Sequence, residues 1–361
     1  MKRLIANGHE VTLVCSNFEG GIAEDVNDGI RILRYGKWYN ANFVIPYHVW
    51  KLLKRESFDL IIEDVNKIPF FSPLLTKTRV VAVVPHLFGA TVFRETNAIF
   101  GLYVYFWELL IPPVFKKCRF AVISPSTKTD LIKRGIPENK IDVVLCGLDH
   151  SIFRLLDGVE RFERPTVIHF GRIRKYKSVD VVIRAFEGIR REIPNARLLI
   201  VGGGPGKGAL VELVDDMGLN DSVEFAGVVP TPELVKLLNQ SHLFINASPK
   251  EGWGLTVVEA NACGVPVVAS RRPGLKDSVL DERTGYLVKY GDHEQFAVKS
   301  LEILKDPARW KRMSDAGLEW ARSLTWDRCA AEMESIFLEE ISLSTVEGEK
   351  TESQLTDQNT R

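Results

Sequence analysis

"PTVIHFGRIRKYKSVDVVIRAFEGI", residues 165–189, decides the fold. Its first seven residues form a short apolar run, rich in β-branched side chains and closed by Gly171, which reads as a buried strand. Beyond a basic turn, Val179, Val182, Ile183, Phe186 and Ile189 recur at the spacing that gives a helix one apolar face. The same rhythm continues downstream. Strands are predicted at "ARLLIVGG", "SVEFAGVV", "HLFINAS", "VPVVAS" and "TGYLVKY", mostly separated by amphipathic segments. One of these helices has a marked start, with Thr231 as expected N-cap, Pro232 next and Glu233 in the first turn. Strand and helix in strict alternation specify a doubly wound parallel sheet.

The first half repeats the theme less evenly, with strands expected at "EVTLVCS", "GIRILRY", "FDLIIED", "RVVAVV", "RFAVIS" and "KIDVVLC". It opens on a helix-like piece, "MKRLIANGHE", where a doubly wound domain opens with a strand and a glycine-rich turn. Residues 1–150 are therefore expected to form a first domain without that strand and turn, and 151–164, charged and aperiodic, a linker. Residues 165–325 form the second domain, 326–341 a helix that returns to the first, and 342–361 a disordered tail.

Lysine plus arginine equals aspartate plus glutamate at 47 each, so no overall field draws the chain to nucleic acid. Five dispersed cysteines with no C-x-x-C pair argue for free thiols in a reducing compartment and against a zinc site. The N-terminus lacks the apolar core of a secretory signal, so a cytoplasmic location is expected. "NAIFGLYVYFWELLIPPVF", residues 97–115, approaches the length of a membrane span, but Glu108 and Pro112-Pro113 interrupt it. It reads as a core or interfacial helix. Its aromatics, followed by Lys116, Lys117 and Arg119, suit peripheral contact with the inner face of the cell membrane.

Three constellations carry chemistry. In "SPKEGWGLTVVEANACGVPVVAS", residues 248–270, a helix begins near Gly254, and its first amides form an anion site. Glu251 stands at that helix mouth. Glu259, eight residues on and within about 80° of the same face, reaches the same crevice or is an ordinary surface residue. Arg172 and Lys177, just past the strand at 165–171, can neutralise a diphosphate or form a solvated basic turn. "IVGGGPGKG", residues 200–208, is too generic to signal a dinucleotide site and reads as a close approach between backbones.

In sequence order, "HLFGATVFRE", "SPSTKTDLIKRGIP", Gly171-Arg172 with Lys177, "GGGPG", "FAG", the E-x7-E stretch from Glu251 to Glu259, "PGLKDSV" and "TGYLV" resemble the family 4 (group 1) glycosyltransferases. The resemblance spans nearly the whole chain. It implies the GT-B fold, two Rossmann-like α/β domains facing a cleft, and transfer of a sugar from a nucleotide-diphosphate co-substrate with retention. The acceptor would be a glycan, a lipid-linked sugar or a similar molecule. Gly171, Arg172 and Lys177 would hold the diphosphate, Glu251 the sugar hydroxyls and Glu259 the ribose. Gly252, Gly254, Leu255 and Thr256 would meet phosphate and sugar, with the base near Val228 and Val229. His86 aligns with a histidine that approaches the sugar from the first domain. No cofactor and no metal is implied, and no D-x-D motif is present. Ser178 stands where the family pattern has glycine. A GT-B epimerase, or a non-catalytic binding protein of this fold, is the rival reading.

Overall fold

The computed structural model describes residues 1–66, 68–94 and 96–359, with side chains described as far as Leu343 except that of Arg94. Two compact units are present, Met1–Leu145 with Asp327–Arg361, and Cys146–Trp326. All five cysteines are free.

The first unit begins with α1 (Lys2–Ala6), β1 (Thr12–Cys15), β2 (Glu24–Asn27), β3 (Ile30–Arg34) and α2 (Ala41–Leu53). It continues through β4 (Ile61–Asp64), β5 (Val80–Val84), α3 (Ala98–Leu109), α4 (Ile111–Phe115), β6 (Arg119–Val122), α5 (Pro125–Lys133) and β7 (Ile141–Val143). Strands β4, β5, β6 and β7 pair in that order, all parallel. Side chains alternate across this sheet because the strand period is two. Val80, Ala82 and Val84 pack with Ile111, Phe115 and Leu131, whereas Val81 and Ala121 pack with Ile336 and Phe337 of the C-terminal helix.

The other sheet has the order β1-β3-β2, with β1 parallel and β2 antiparallel to β3. Strand β2 was not expected, since Glu24, Asp25 and Asn27 hide its strand character. The hairpin reverses at Asp28-Gly29, both at positive φ, and this dipeptide was the signal available. Among the described residues no strand pairs with the outer side of β1 or of β4.

The apolar stretch 97–115 is two helices, α3 capped by the Asn97 side chain and α4 with its prolines in the first turn. Glu108, read in the sequence only as an interruption, is buried. Its carboxylate accepts the amides of Phe88 (2.5 Å) and Gly89 (2.8 Å) and pairs with Arg134 at 3.4 Å.

The second unit contains every strand expected of it. In order they are β8 (Thr166–Phe170), α6 (Val179–Glu192), β9 (Arg197–Val201), α7 (Lys207–Asp216), β10 (Val223–Gly227), α8 (Thr231–Gln240) and β11 (Leu243–Asn246). Then come α9 (Leu255–Ala262), β12 (Val267–Ser270), α10 (Leu275–Ser278), β13 (Gly285–Val288), α11 (His293–Leu304) and α12 (Pro307–Ser323). The six strands are parallel in the order β10-β9-β8-β11-β12-β13. Val167, Ile200 and Ile245 point toward Phe186 and Ile189 of α6, while Ile168, Leu199 and Phe244 point toward Val235 of α8 and Val257 of α9. Both faces are buried, which explains the near-continuous apolar strands.

Three expectations are corrected. Pro230, not Thr231, is the N-cap of α8, and Thr231 is already helical with no side-chain cap bond. The stretch read as a linker has no helix or strand and lies on the second unit. There Arg161 donates to the carbonyl oxygens of Ser241 and Gly264, and Phe162 N–H donates to Gln240 O at 2.9 Å. The last helix, α13 (Trp326–Asn359), continues through most of the predicted disordered tail, and Thr360 and Arg361 lie outside the described residues.

The glycine-rich turn after β9 is a backbone contact. A Cβ on Gly202, at φ +134°, would lie 1.9 Å from Gly171 O, and one on Gly204 would lie 2.2 Å from Ile173 O. Gly202→Ala is expected to lower the urea-unfolding free energy by about 3 kcal/mol. Gly208→Ala, on α7 with nothing within 4 Å of the new atom, should instead stabilise by about 0.5–1 kcal/mol.

Candidate functional site

The chain leaves β8 to build β9 and β10 on one side, then returns to place β11, β12 and β13 on the other. The order therefore reverses between β8 and β11, and the carboxyl ends of these two strands flank the crevice where such sheets bind ligands. Residues 171–178 follow β8 and residues 247–254 follow β11. Two distant stretches singled out in the sequence thus meet at one point.

Lys177 and Glu251 are joined there. Nζ lies 2.5 Å from Oε1, and the two side chains are only 15% and 16% exposed. The lysine ends a 3-10 turn, Lys175–Lys177. Glu251 is fixed through its backbone, because its N–H donates to Pro273 O at 3.0 Å. Gly274 presses on the same peptide, and a Cβ there would come within 2.2 Å of Glu251 O. Arg172 is exposed, and no acceptor for its guanidinium is present among the described residues.

Gly254 is the N-cap of α9 at φ +83°, with no side-chain cap, so the first-turn amides of Leu255 and Thr256 have no acceptor among the described residues. Asn246 Nδ2 donates to Thr256 Oγ1 at 3.3 Å and ties the end of β11 to the same turn. Gly252 sits beside Glu251 in the loop. Glu259, one turn into α9, is half-buried, and burial pushes its carboxyl up to about 7. Val228, 82% exposed, stands after β10 and next to Gly203, whereas Val229 packs partly into the core.

His86 belongs to the first unit, on the loop after β5, where its ring centroid is 4.6 Å from that of Phe88. The amides of Phe88 and Gly89 in this loop are those held by buried Glu108.

Sequence reasoning missed His169. It is fully buried on β8, its Nδ1 bonds Ile245 O at 2.9 Å, and Nε2 has no partner among the described residues. Burial lowers its pKa to about 4, so the imidazole stays neutral beneath Lys177 and Glu251. Its place inside an apolar strand offered no signal of this. Among the described residues no group of three His, Cys, Asp or Glu side chains is placed to hold a metal ion.

The model for glycosyl transferases group 1 matches residues 158–320, and that for glycosyltransferase family 4 matches residues 1–152. The chain belongs to the family 4 (group 1) glycosyltransferases. Its relatives include the GDP-mannose-dependent alpha-(1-6)-phosphatidylinositol monomannoside mannosyltransferase of Mycolicibacterium smegmatis, 36% identical over 44% of each chain. The D-inositol 3-phosphate glycosyltransferase of Segniliparus rotundus is 32% identical over 53% of this chain and 45% of its own. The chain spans about half the length of the curated relatives it matches. Sucrose-phosphate synthase from Thermosynechococcus elongatus shares the GT-B fold, with a TM-score of 0.75 at 20% identity over 95% of this chain and 92% of that one.

Within this family pattern Ser178 departs from glycine, and the backbone shows what that costs. Ser178 is left-handed, at φ 49° and ψ 45°, a conformation that disfavours a Cβ. Its Oγ lies 3.2 Å from Tyr290 Oη, a contact glycine could not make. In a Tyr290→Phe background, Ser178→Gly should stabilise the chain by about 1 kcal/mol in urea melts.

Glu259 also makes a pH signature. Its folded pKa lies above the ordinary value of 4.5, so the folded state holds the proton more tightly. Stability from this group is greatest below about 4.5, falls as pH rises to about 7, and is level above. The melting temperature of Glu259→Gln relative to wild type should therefore climb between those two values. A difference independent of pH would refute the buried-carboxyl account.

Proposed function

We propose that the chain is a retaining glycosyltransferase that moves a hexosyl group from a nucleotide-diphosphate sugar to an acceptor hydroxyl. The observation that carries this reading is the meeting, at the β8/β11 switch point, of Arg172, the Lys177–Glu251 pair and the uncapped start of α9. A guanidinium fork, an ammonium and free amides suit a diphosphate, and their value is greatest where negative charge grows as it departs. The acceptor oxygen forms a bond to the anomeric carbon on the face from which the diphosphate leaves. The bond from that carbon to the phosphate oxygen breaks, and the acceptor proton passes to the leaving phosphate. Glu251 accepts hydrogen bonds from donor sugar hydroxyls, Glu259 from the ribose, and Val228 and Val229 border the base. The cations of the site replace a metal ion in this reading, so transfer should persist in a chelator.

The acceptor in this reading is glycan or lipid-linked and is presented at the inner face of the cell membrane, with the protein cytoplasmic and peripheral. The phosphatidylinositol mannoside in the first relative's name supports that class, whereas the D-inositol 3-phosphate in the second's carries no lipid. Helix α3 supports it as well, since Ile99, Phe100, Leu102, Phe106 and Leu109 are exposed to solvent.

Arg172→Ala and Lys177→Ala should each weaken nucleotide-diphosphate binding and slow transfer by about 2–4 kcal/mol. Arg172→Lys should restore only part, because the fork is lost. Donor affinity and rate unchanged in both alanine variants would overturn the assignment. The two carboxylates divide differently. Glu251→Gln should lower sugar transfer while leaving nucleotide affinity largely intact, and Glu259→Gln should weaken free nucleotide and nucleotide sugar alike. Titration calorimetry with both ligands checks this, and equal losses in both variants would refute the division. Sugar-nucleotide turnover without any acceptor would favour the epimerase.

A further inference from the structure

Helix α2 has an inner face and an outer face, and the outer one is aromatic. Ala41 and Ile45 are buried, and the His48 ring stacks on Tyr35 at 3.9 Å between centroids. On the opposite side Phe43, Tyr47 and Trp50 follow one another at steps of four and three residues, with Lys54 four further on. Residues at these steps form a single line along a helix. Phe43 and Tyr47 are 64% and 51% exposed, and Trp38 just before the helix is 84% exposed. Soluble surfaces rarely gather large aromatics into one stripe unless something covers them.

The charge of the stripe identifies the cover. From Ala41 to Lys54 there is no acidic residue. Lys51 Nζ lies 4.6 Å above the Tyr47 ring, and Lys54 Nζ lies 3.6 Å above the Trp50 ring. Apolar bodies tipped by ammonium groups match the headgroup boundary of a bilayer, where the rings meet the acyl edge and the lysines meet phosphate. A second copy of this chain fits less well, because a two-fold contact would set these lysines against each other. The stripe runs into a groove of about 410 Å³ lined by Trp50, Leu53 and Lys54 together with Leu74, Thr76 and Lys77.

We propose that the outer face of α2, with the Lys54–Lys77 groove, is a docking surface for an anionic phospholipid bilayer. It rests on residues other than those of α3 and requires nothing of the acceptor. The test is co-sedimentation of the full chain with phosphatidylcholine vesicles, with and without phosphatidylglycerol. Wild type should pellet with the anionic vesicles and be released by about 0.5 M salt. Phe43→Ser with Trp50→Ser, and separately Lys51→Glu with Lys54→Glu and Lys77→Glu, should each lower vesicle partition about tenfold or more. Melting temperature and the thermal shift given by nucleoside diphosphate serve as controls and should match wild type. Should the double serine variant unfold, quenching by brominated lipid supplies the second measurement, since Trp38→Phe with Trp50→Phe should lose most of it.

Partition unchanged in both α2 variants would overturn the proposal. If partition then falls only in Ile99→Ser with Phe106→Ser, the membrane reading of α3 survives without α2. Wild-type protein that stays soluble with anionic vesicles at low salt overturns both. A dimer on gel filtration that dissociates in the α2 variants, without vesicle binding, would assign the stripe to a second copy and overturn the proposal.

Discussion

Close contact between backbones at the carboxyl end of the six-stranded sheet is the constraint on which the second unit's site depends. Gly202 lies against Gly171 O, Gly204 against Ile173 O, and Gly274 against Glu251 O, each at a distance no Cβ could occupy. These contacts draw the loop after β9 onto the one after β8, and the loop after β12 onto the one after β11. The loop after β8 then carries Arg172 and Lys177, and the one after β11 carries Glu251. A side chain at any of the three points would push one of these loops from its neighbour and so shift the segment that carries Lys177 or Glu251. The site is a consequence of missing side chains as much as of those present.

The electrostatics follow from that crowding. Lys177 and Glu251 are mostly removed from water, and each compensates the other. A diphosphate entering beside the lysine would compete with the carboxylate for the ammonium, which would free Glu251 to accept sugar hydroxyls. His169 sits below without charge, so it adds no cation that would weaken the lysine. Glu259 shows the opposite adjustment, held toward neutrality by burial and with no cation to offset it. The ribose of the proposed donor offers hydroxyls rather than charge, and a carboxyl so held would meet it by accepting or by donating.

The second unit was legible in the sequence because each of its signals is local. Buried parallel strands are short β-branched runs, its helices keep a strict apolar face, and glycine marks the turns. The meeting of Lys177 with Glu251 was not legible, since it depends on the reversal of strand order between β8 and β11. Nor was the neutrality of His169, which depends on sheet neighbours far along the chain. In the first unit β2 was hidden by its polar edge, and Glu108 was taken for an interruption although it holds the Phe88 and Gly89 amides. A buried carboxylate and an exposed one look alike in a sequence. The same blindness ran the other way for α13, where polar composition suggested disorder and the backbone is helical as far as Asn359.

A chain with no net charge can still present strongly charged places, because charges are sorted by the fold rather than by composition. In the second unit cations and amides gather at one switch point. In the first, the outer face of α2 holds lysines over aromatic rings with no acid among them, while Glu108 is withdrawn into the core to hold a loop. The two positive places differ in what surrounds them. Around Lys177 the neighbours are buried and polar, which suits a small anion taken out of water. Around Lys51 and Lys54 they are exposed and aromatic, which suits an extended anionic surface that keeps its own water. The same charge has two uses because burial differs.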